Sequence, residues 1–227
     1  MEDRDRGGGD RTGRWAVKDW VAWHAAYEDP ASSLSVRLRL VRGHLARALD
    51  GAPAGRVRLL SLCAGQGHDV LGVLPEHPRG RDVSAVLVEC DPRNAALARD
   101  GAARAGLPQV EVREADAALV AGYADALPAD VLLLCGIFGN VSDEDIERTA
   151  GAAAALCAPG ATVIWTRHRR PPDLTPRIRG WFRSAGFGEV AFDMPDTGAL
   201  TGVGVARLAV PPPSGLPAGP LFTFRAA

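Results

Sequence analysis

Apolar residues recur along the chain in short runs set apart by polar and glycine-rich breaks, and the spacing within the runs changes from helical to strand-like partway along. The opening MEDRDRGGGDRTGR (1–14) carries charge and glycine without apolar periodicity and is expected to be a disordered tail. From Trp15, helical spacing comes in two pieces: Trp20, Trp23, His24 and Tyr27, then Leu34, Leu38, Val41 and Leu45. The break falls at Asp29-Pro30, Ser32 or Ser33 supplies a cap for the second helix, and Gly51 and Pro53 end it.

Thereafter strands and helices alternate. VRLLSLC precedes a helix from Gly67; SAVLVEC precedes one from Arg93 to Ala105; QVEVRE precedes a short helix; DVLLLC precedes Glu144 to Leu156; ATVIWTR precedes Arg177 to Ala185. The close is different, because EVAFDMP, a turn at Asp196-Thr197-Gly198, and GVGVARLAV make two strands joined without a helix, an antiparallel hairpin at a sheet edge. Short apolar strands alternating with helices require a parallel sheet covered on both faces. The fold class is therefore α/β: a single doubly wound, mostly parallel seven-stranded sheet with an antiparallel last strand. The proline-rich PPPSGLPAGP ends in LFTF, which is expected to return Leu221, Phe222 and Phe224 to the body.

Composition narrows the function. With 227 residues, 47% of them hydrophobic, the chain can bury the core of one domain. A formal net charge of -1 gives no overall pull toward nucleic acid or an anionic membrane, so neither is expected as a partner. Lys18 is the only lysine, an arginine bias that points to a GC-rich, bacterial genome. No run reaches the length of a membrane span and the N-terminus lacks the apolar segment of a signal peptide, so a cytoplasmic protein is expected. Cys63, Cys90, Cys135 and Cys157 are widely separated without metal-ligand spacing, and are expected to be free, buried thiols with no metal site.

The segment LLSLCAGQGHDVLGVL carries the first chemical signal. Ligands of open parallel sheets bind beyond the strands' carboxyl ends. Gly65 and Gly67 fit a sharp turn there and a close backbone approach to a nucleotide-like ligand, with a helix N-terminus behind them. His68 and Asp69 open that helix, either as ligand contacts or, for Asp69, as an acid that suits the helix dipole. One strand and helix later, LVECDP puts Glu89 at a strand tip, where a carboxylate accepts hydrogen bonds from a ribose diol; Asp91 is either a second acid there or the cap of the next helix. Asp116 follows the third strand, as an acceptor for an adenine amine or as a cap.

These segments, in this order, resemble the class I S-adenosylmethionine-dependent methyltransferase family over about Val57 to Val210. In its first motif an acid is followed by three glycines at alternate positions; here Ser61, Cys63, Gly65 and Gly67 fill those places, so the acid and the first glycine are missing. The resemblance implies S-adenosylmethionine as methyl donor and S-adenosylhomocysteine as product. It implies a cofactor site made of Cys63, Ala64, Gly65, Gln66 and Gly67 with Asp69, of Glu89 and Cys90, of Asp116 and Ala117, and of Gly136 in DVLLLCGIFGNV, whose loop lines the transfer site. It also makes residues 15–55 a helical lid over a 56–227 core, with Tyr27 or His24 reaching the methyl group or the donor's carboxylate and Arg37 a further carboxylate partner; the alternative is that this aromatic stripe only packs a helix on the sheet.

Methyl transfer from a sulfonium needs alignment, exclusion of water and, for some acceptors, removal of a proton. Asn140 is a candidate to hydrogen-bond acceptor or donor, or to cap a turn; His168 in WTRHRRPPD is a candidate base or a solvated loop histidine, and Arg167, Arg169 and Arg170 beside it either suit a carboxylate-bearing acceptor or form an ordinary solvated cluster. A small-molecule acceptor, methylated on oxygen or nitrogen, is expected. Two other readings stay open: a protein that binds the donor without transferring its methyl group, and an NAD(P)-dependent oxidoreductase. The latter's GxGxxG would need glycine at position 70, which is Val70. Exposure of Trp15 or Trp20 would mark a homodimer surface.

Overall fold

The computed structural model describes residues 25–195 and 200–225. The expected tail (1–14), Trp15, Trp20, Trp23, His24 and the turn at Asp196-Thr197-Gly198 lie outside those residues. Tyr27 sits in a one-turn 3-10 helix, Ala25–Glu28, just before α1 (Ser33–Asp50). Ser32 is the cap: its Oγ accepts the Ser35 N–H at 3.1 Å, which satisfies one of the unpaired amides of the first turn.

Seven strands follow, β1 (Val57–Leu62), β2 (Val83–Glu89), β3 (Val110–Glu114), β4 (Ala129–Leu134), β5 (Cys157–His168), β6 (Phe187–Asp193) and β7 (Thr201–Leu208), in the spatial order β3-β2-β1-β4-β5-β7-β6. β7 is antiparallel to both its neighbours, and the pairs along β3-β2-β1-β4-β5 are parallel. Consecutive strand side chains point to opposite faces, so each central strand feeds two cores. Leu59, Leu87, Leu133, Ile164 and Val205 meet Val41, Leu45 and Leu49 of α1; Leu60, Val88, Leu132, Val163 and Ala206 lie on the other side with Ile146 of α4 (Asp143–Leu156) and Ile178 of α5 (Thr175–Ser184). Each fully buried leucine contributes about 1.5–3 kcal/mol. The strand order reverses between β1 and β4, where the connections diverge, and this opens a crevice at their carboxyl ends.

Several elements depart from the sequence pattern. The helix expected from Gly67 is a single turn, α2 (His68–Leu71), because left-handed Gly67 starts it and Gly72 closes it. The helix after β3 is replaced by two 3-10 turns, Val120–Gly122 and Ala124–Ala126. β5 begins at Cys157, before the expected ATVIWTR, and its register against β4 shifts around Pro159, which has no N–H to give, and left-handed Gly160. α5 begins at Thr175, two residues early, since the Asp173 carboxylate accepts both the Thr175 N–H (2.9 Å) and its hydroxyl (2.7 Å). α3 (Pro92–Arg104) and α4 start within a residue of expectation. The cysteines are free, as expected, but not uniformly buried: Cys157 is buried, Cys63 and Cys135 are half-buried and Cys90 is exposed. Leu221 and Phe222 return to the core, whereas Phe224 stays partly exposed.

Candidate functional site

The turn after β1 is built from left-handed residues at alternate positions: Cys63 (φ 54°), Gly65 (φ 57°) and Gly67 (φ 71°). Cys63 adopts a conformation that costs a side-chain-bearing residue about 1–3 kcal/mol, which is what a glycine would relieve. The Ala64 N–H still bonds to Val88 O across the sheet (3.0 Å), and its carbonyl accepts the Gly67 N–H (2.9 Å), closing the turn. Gly67 also serves the packing beneath the loop: a Cβ there would lie 2.7 Å from Leu87 Cδ2.

Glu89, 7% exposed at the tip of β2, joins two loops. One carboxylate oxygen accepts the Gly65 N–H at 2.7 Å and the other accepts the Asp91 N–H at 2.8 Å. Each oxygen keeps a second acceptor direction. Asp91 is the cap of α3, accepting the Arg93 N–H at 2.9 Å, and its hydrogen bond to the Arg93 side chain holds its carboxyl below the usual range. The two acids at this strand tip thus have separate duties.

Asp116, Cys63, Cys90 and Glu89 face one another across the ends of the strands: burial raises the Cys63 thiol first, and the charges of Glu89 and Asp116 raise it further. Cys90 is raised by burial and the same two acids. Asp116 is exposed and also caps its own turn, accepting the Ala118 N–H at 2.9 Å. Ala117 does not line the crevice with its side chain; it is buried in the core and its carbonyl accepts the Tyr123 hydroxyl at 3.0 Å. Gln66 likewise turns away, donating to the Asn94 side chain on α3 at 3.2 Å.

On the α1 side, Asp69 is 8% exposed and its carboxyl is raised, first by burial. It accepts the Val70 N–H at 2.8 Å and lies within electrostatic reach of Arg37, Arg42, Tyr27 and Cys135. Arg37 donates to the Tyr27 hydroxyl at 2.8 Å, and the Tyr27 ring meets His68 edge-on at 5.0 Å between centroids. Arg42 fixes the short helix by donating to His68 O at 2.9 Å. Tyr27, Arg37 and Asp69 therefore assemble an amphoteric group between α1, α2 and the end of β4. By contrast, Ser61, at the place of the family's acid, is buried with an Oγ that finds no hydrogen-bond partner.

The loop after β4 is held from two sides. Left-handed Gly136 (φ 84°) donates its N–H to Thr166 Oγ1 on β5 (3.0 Å), and its carbonyl accepts from the Asn140 side chain (2.7 Å). Asn140 thus braces this loop through one side-chain N–H. His168 ends β5, half-buried, with Nδ1 buried and unpartnered; burial lowers its basicity first, then Arg167 and Arg170.

The C-terminal segment straps these loops together. Leu221 N–H reaches Ala118 O (2.9 Å) beside Asp116, Thr223 N–H reaches the Asp145 carboxylate (3.0 Å), and Arg225 N–H reaches Asn140 O (2.8 Å). Sequence reading missed Asp145, Thr166 and Arg42; no signal in one sequence marks a carboxylate on α4 as the partner of a residue 78 positions away. Asp145→Ala is expected to leave the Thr223 amide without its acceptor, at a cost of about 1–2 kcal/mol. Hydrogen exchange at Leu221, Thr223 and Arg225 should accelerate while that of β1 and β4 is unchanged; uniform exchange would refute the strap.

No cluster of metal-ligating side chains occurs among the described residues, and none of the described helices is long and apolar enough to cross a membrane. No family model and no curated protein matches the chain. Solved structures match in fold. An O-methyltransferase family protein from Burkholderia thailandensis superposes with a TM-score of 0.64 at 18% identity, over 85% of this chain and 61% of that one. Magnesium protoporphyrin IX methyltransferase from Synechocystis, with bound S-adenosylmethionine, gives 0.66 at 13%, over 84% and 91%. A B. thailandensis 1,6-didemethyltoxoflavin-N1-methyltransferase with bound S-adenosylhomocysteine gives 0.61 at 16%, over 84% and 87%. The chain therefore spans less than two thirds of the first of these and most of the other two, and has the fold that all three share.

Proposed function

We propose that this chain is an S-adenosylmethionine-dependent methyltransferase of class I, acting on oxygen or nitrogen of a small molecule. The observation that carries the reading is the Glu89 carboxylate, buried at the tip of β2 next to the β1 turn of a β3-β2-β1-β4-β5-β7-β6 sheet and pinned by the amides of two loops, so that its remaining acceptor directions are fixed for a sugar diol. An oxidoreductase is less well supported, since the antiparallel β7 between β5 and β6 departs from the dinucleotide-binding strand order. Asp116 would take the adenine edge, and Arg37 with Asp69 the carboxylate and ammonium of the methionine end, a division of charge that offsets the missing acid at Ser61.

When bound, S-adenosylmethionine supplies an electrophilic methyl group on a cationic sulfur. The chain's own work is to hold the acceptor in line, exclude water and take a proton where the acceptor carries one. His168 is neutral near pH 7, because burial and the neighbouring arginines favour its uncharged form, and its imidazole, at the end of β5, can take a proton. His168→Gln is expected to lower kcat about 10²-fold on a protic acceptor. In the parent protein the acidic limb of kcat/KM should fall below the ordinary histidine value of 6.5, and Arg167→Gln should move it upward. A limb above that value, or a His168→Gln variant with full kcat, would remove His168 from the proton path.

Calorimetry tests the donor assignment directly. Binding of S-adenosylmethionine and S-adenosylhomocysteine without NAD(H) is expected; the reverse selectivity overturns it. Product mass on an acceptor panel then separates a transferase from a protein that only binds the donor. The same preparation is expected to come from the soluble cytoplasmic fraction, and sedimentation will give its oligomeric state.

A further inference from the structure

A second opening lies outside the crevice, between α1, α2 and α3. Its volume is about 210 Å³, and its walls are Arg42 of α1, Leu71 and Gly72 at the end of α2, and Leu97, Gly101 and Arg104 of α3. Gln66 and His68 close the end nearest the β1 turn, but Gly65, Asp69, Glu89 and Asp116 do not line it. Glycines keep its floor bare. A Cβ at Gly72 would lie 2.2 Å from Arg42 Cζ, so the guanidinium rests directly against the backbone there. Gly101 stands within α3, where glycine weakens a helix, and a Cβ there would come within 2.9 Å of Leu71 Cδ1. Leu97, one turn earlier on the same face of α3, is 40% exposed.

Positive charge accompanies this apolar floor, and no acid lines the groove. Arg42 Nε and Nη2 both donate to His68 O, which fixes the plane of the guanidinium and leaves Nη1 without a hydrogen bond among the described residues. Asp69 is within electrostatic reach of Arg42, but it belongs to the Tyr27–Arg37 group and lies outside the groove's lining. Arg104 ends α3, where a cation suits the helix dipole. It is exposed and forms no ion pair among the described residues, with Asp100 one turn before it included.

From this geometry we infer that the groove is a second small-molecule site, which takes a carboxylate carried on a flat apolar body. The carboxylate meets the Arg42 and Arg104 guanidinium groups, whose planar N–H donors suit it, and the apolar body covers Leu71, Leu97 and Gly101. The size agrees, since a cavity of ~150 Å³ holds a benzene ring and this one has room for a ring with a carboxyl group. A bare inorganic anion would leave the leucines in water, and a neutral ring would leave both cations unanswered. The inference does not depend on the methyl-transfer reading, because the groove shares none of the acids assigned to the donor.

The test titrates benzoate and 2-naphthoate, with benzamide and 2-naphthamide as neutral counterparts, into the full chain while its backbone amide resonances are followed by NMR. Saturable shifts are expected at Gly72, Leu97 and Gly101, with each acid bound at least ~10-fold tighter than its amide. Arg104→Gln should weaken the acids ~10-fold, and Leu97→Glu, which sets a negative charge in the groove, should abolish their binding. Both positions are exposed, so both variants should melt near the parent temperature. Arg99→Gln makes the same charge change on the opposite face of α3, beside Glu114 at 4.0 Å, and should leave binding unaltered. Saturating S-adenosylhomocysteine should not displace either acid. No saturation by about 10 mM acid, displacement by S-adenosylhomocysteine, equal shifts with inorganic phosphate, or a folded Arg104→Gln variant that binds as the parent does would overturn the inference. Groove binding in a chain with no affinity for S-adenosylhomocysteine would sustain the second site and refute the donor reading instead.

Discussion

Glu89→Ala should lower the affinity for S-adenosylhomocysteine about 10³-fold. Hydrogen bonds to a charged group are worth about 1.5–3 kcal/mol each, so losing two from a ribose diol removes roughly 3–6 kcal/mol of binding. A second effect works in the same direction, because the carboxylate also holds the Gly65 and Asp91 amides, and without it those N–H groups stay in a buried place with no acceptor. Glu89→Gln separates the two effects in part: its amide oxygen can keep one of the loop bonds while its NH2 group opposes the other, so the variant should lose less stability than Glu89→Ala yet bind the product at least 10²-fold more weakly. Calorimetry with S-adenosylhomocysteine and a thermal melt on each variant check this. If Glu89→Ala binds within threefold of the parent, the sugar is held elsewhere and the site is misassigned.

How far the sequence carries can be followed at individual residues. The apolar runs marked every strand, because a central strand buried on both faces must be apolar throughout, as VLLL of β4 is. Asp91 and Ser32 announced helix starts by type and position. The length of α2 was not legible, since Gly67 and Gly72 lie within an otherwise helical spacing and only the packing of Gly67 on Leu87 shows where the turn must begin. Glu89 stood out as a strand-tip acid, while its bonds to two amides depend on how adjacent parallel strands align and have no local signature. Arg37 and Tyr27, ten positions apart, meet only because the chain doubles back at Asp29-Pro30. Arg167 was visible as one of three clustered arginines; that Arg169 pairs with Asp173 while Arg167 turns to Phe138 O depends on how the loops after β4 and β5 meet.

Gly204→Ala should destabilise the fold by about 3 kcal/mol, although the substitution adds one methyl group in a region where the backbone is ordinary strand. Gly204 sits in β7 directly between Trp165 of β5 and Phe192 of β6 in the strand register. The indole lies over the glycine so closely that an added Cβ would fall 2.1 Å from Trp165 Cε2 and 2.3 Å from its Cζ2. The ring cannot swing aside, being stacked against Phe182 at 5.9 Å and Phe192 at 5.7 Å. Relief must therefore come from the strands, and Thr166, the residue after Trp165, holds the Gly136 amide that fixes the β4 loop. The packing fault would thus reach the reaction site as well as the melting temperature. A loss of this size should lower Tm by about 6–12 °C, given roughly 2–4 °C per kcal/mol in a chain of this length. Combining Gly204→Ala with Trp165→Leu should cost less than the two single changes summed, because the smaller side chain vacates the space the methyl needs. Additive losses, or a Gly204→Ala variant within 1 kcal/mol of the parent, would mean that the indole does not depend on the bare backbone beneath it.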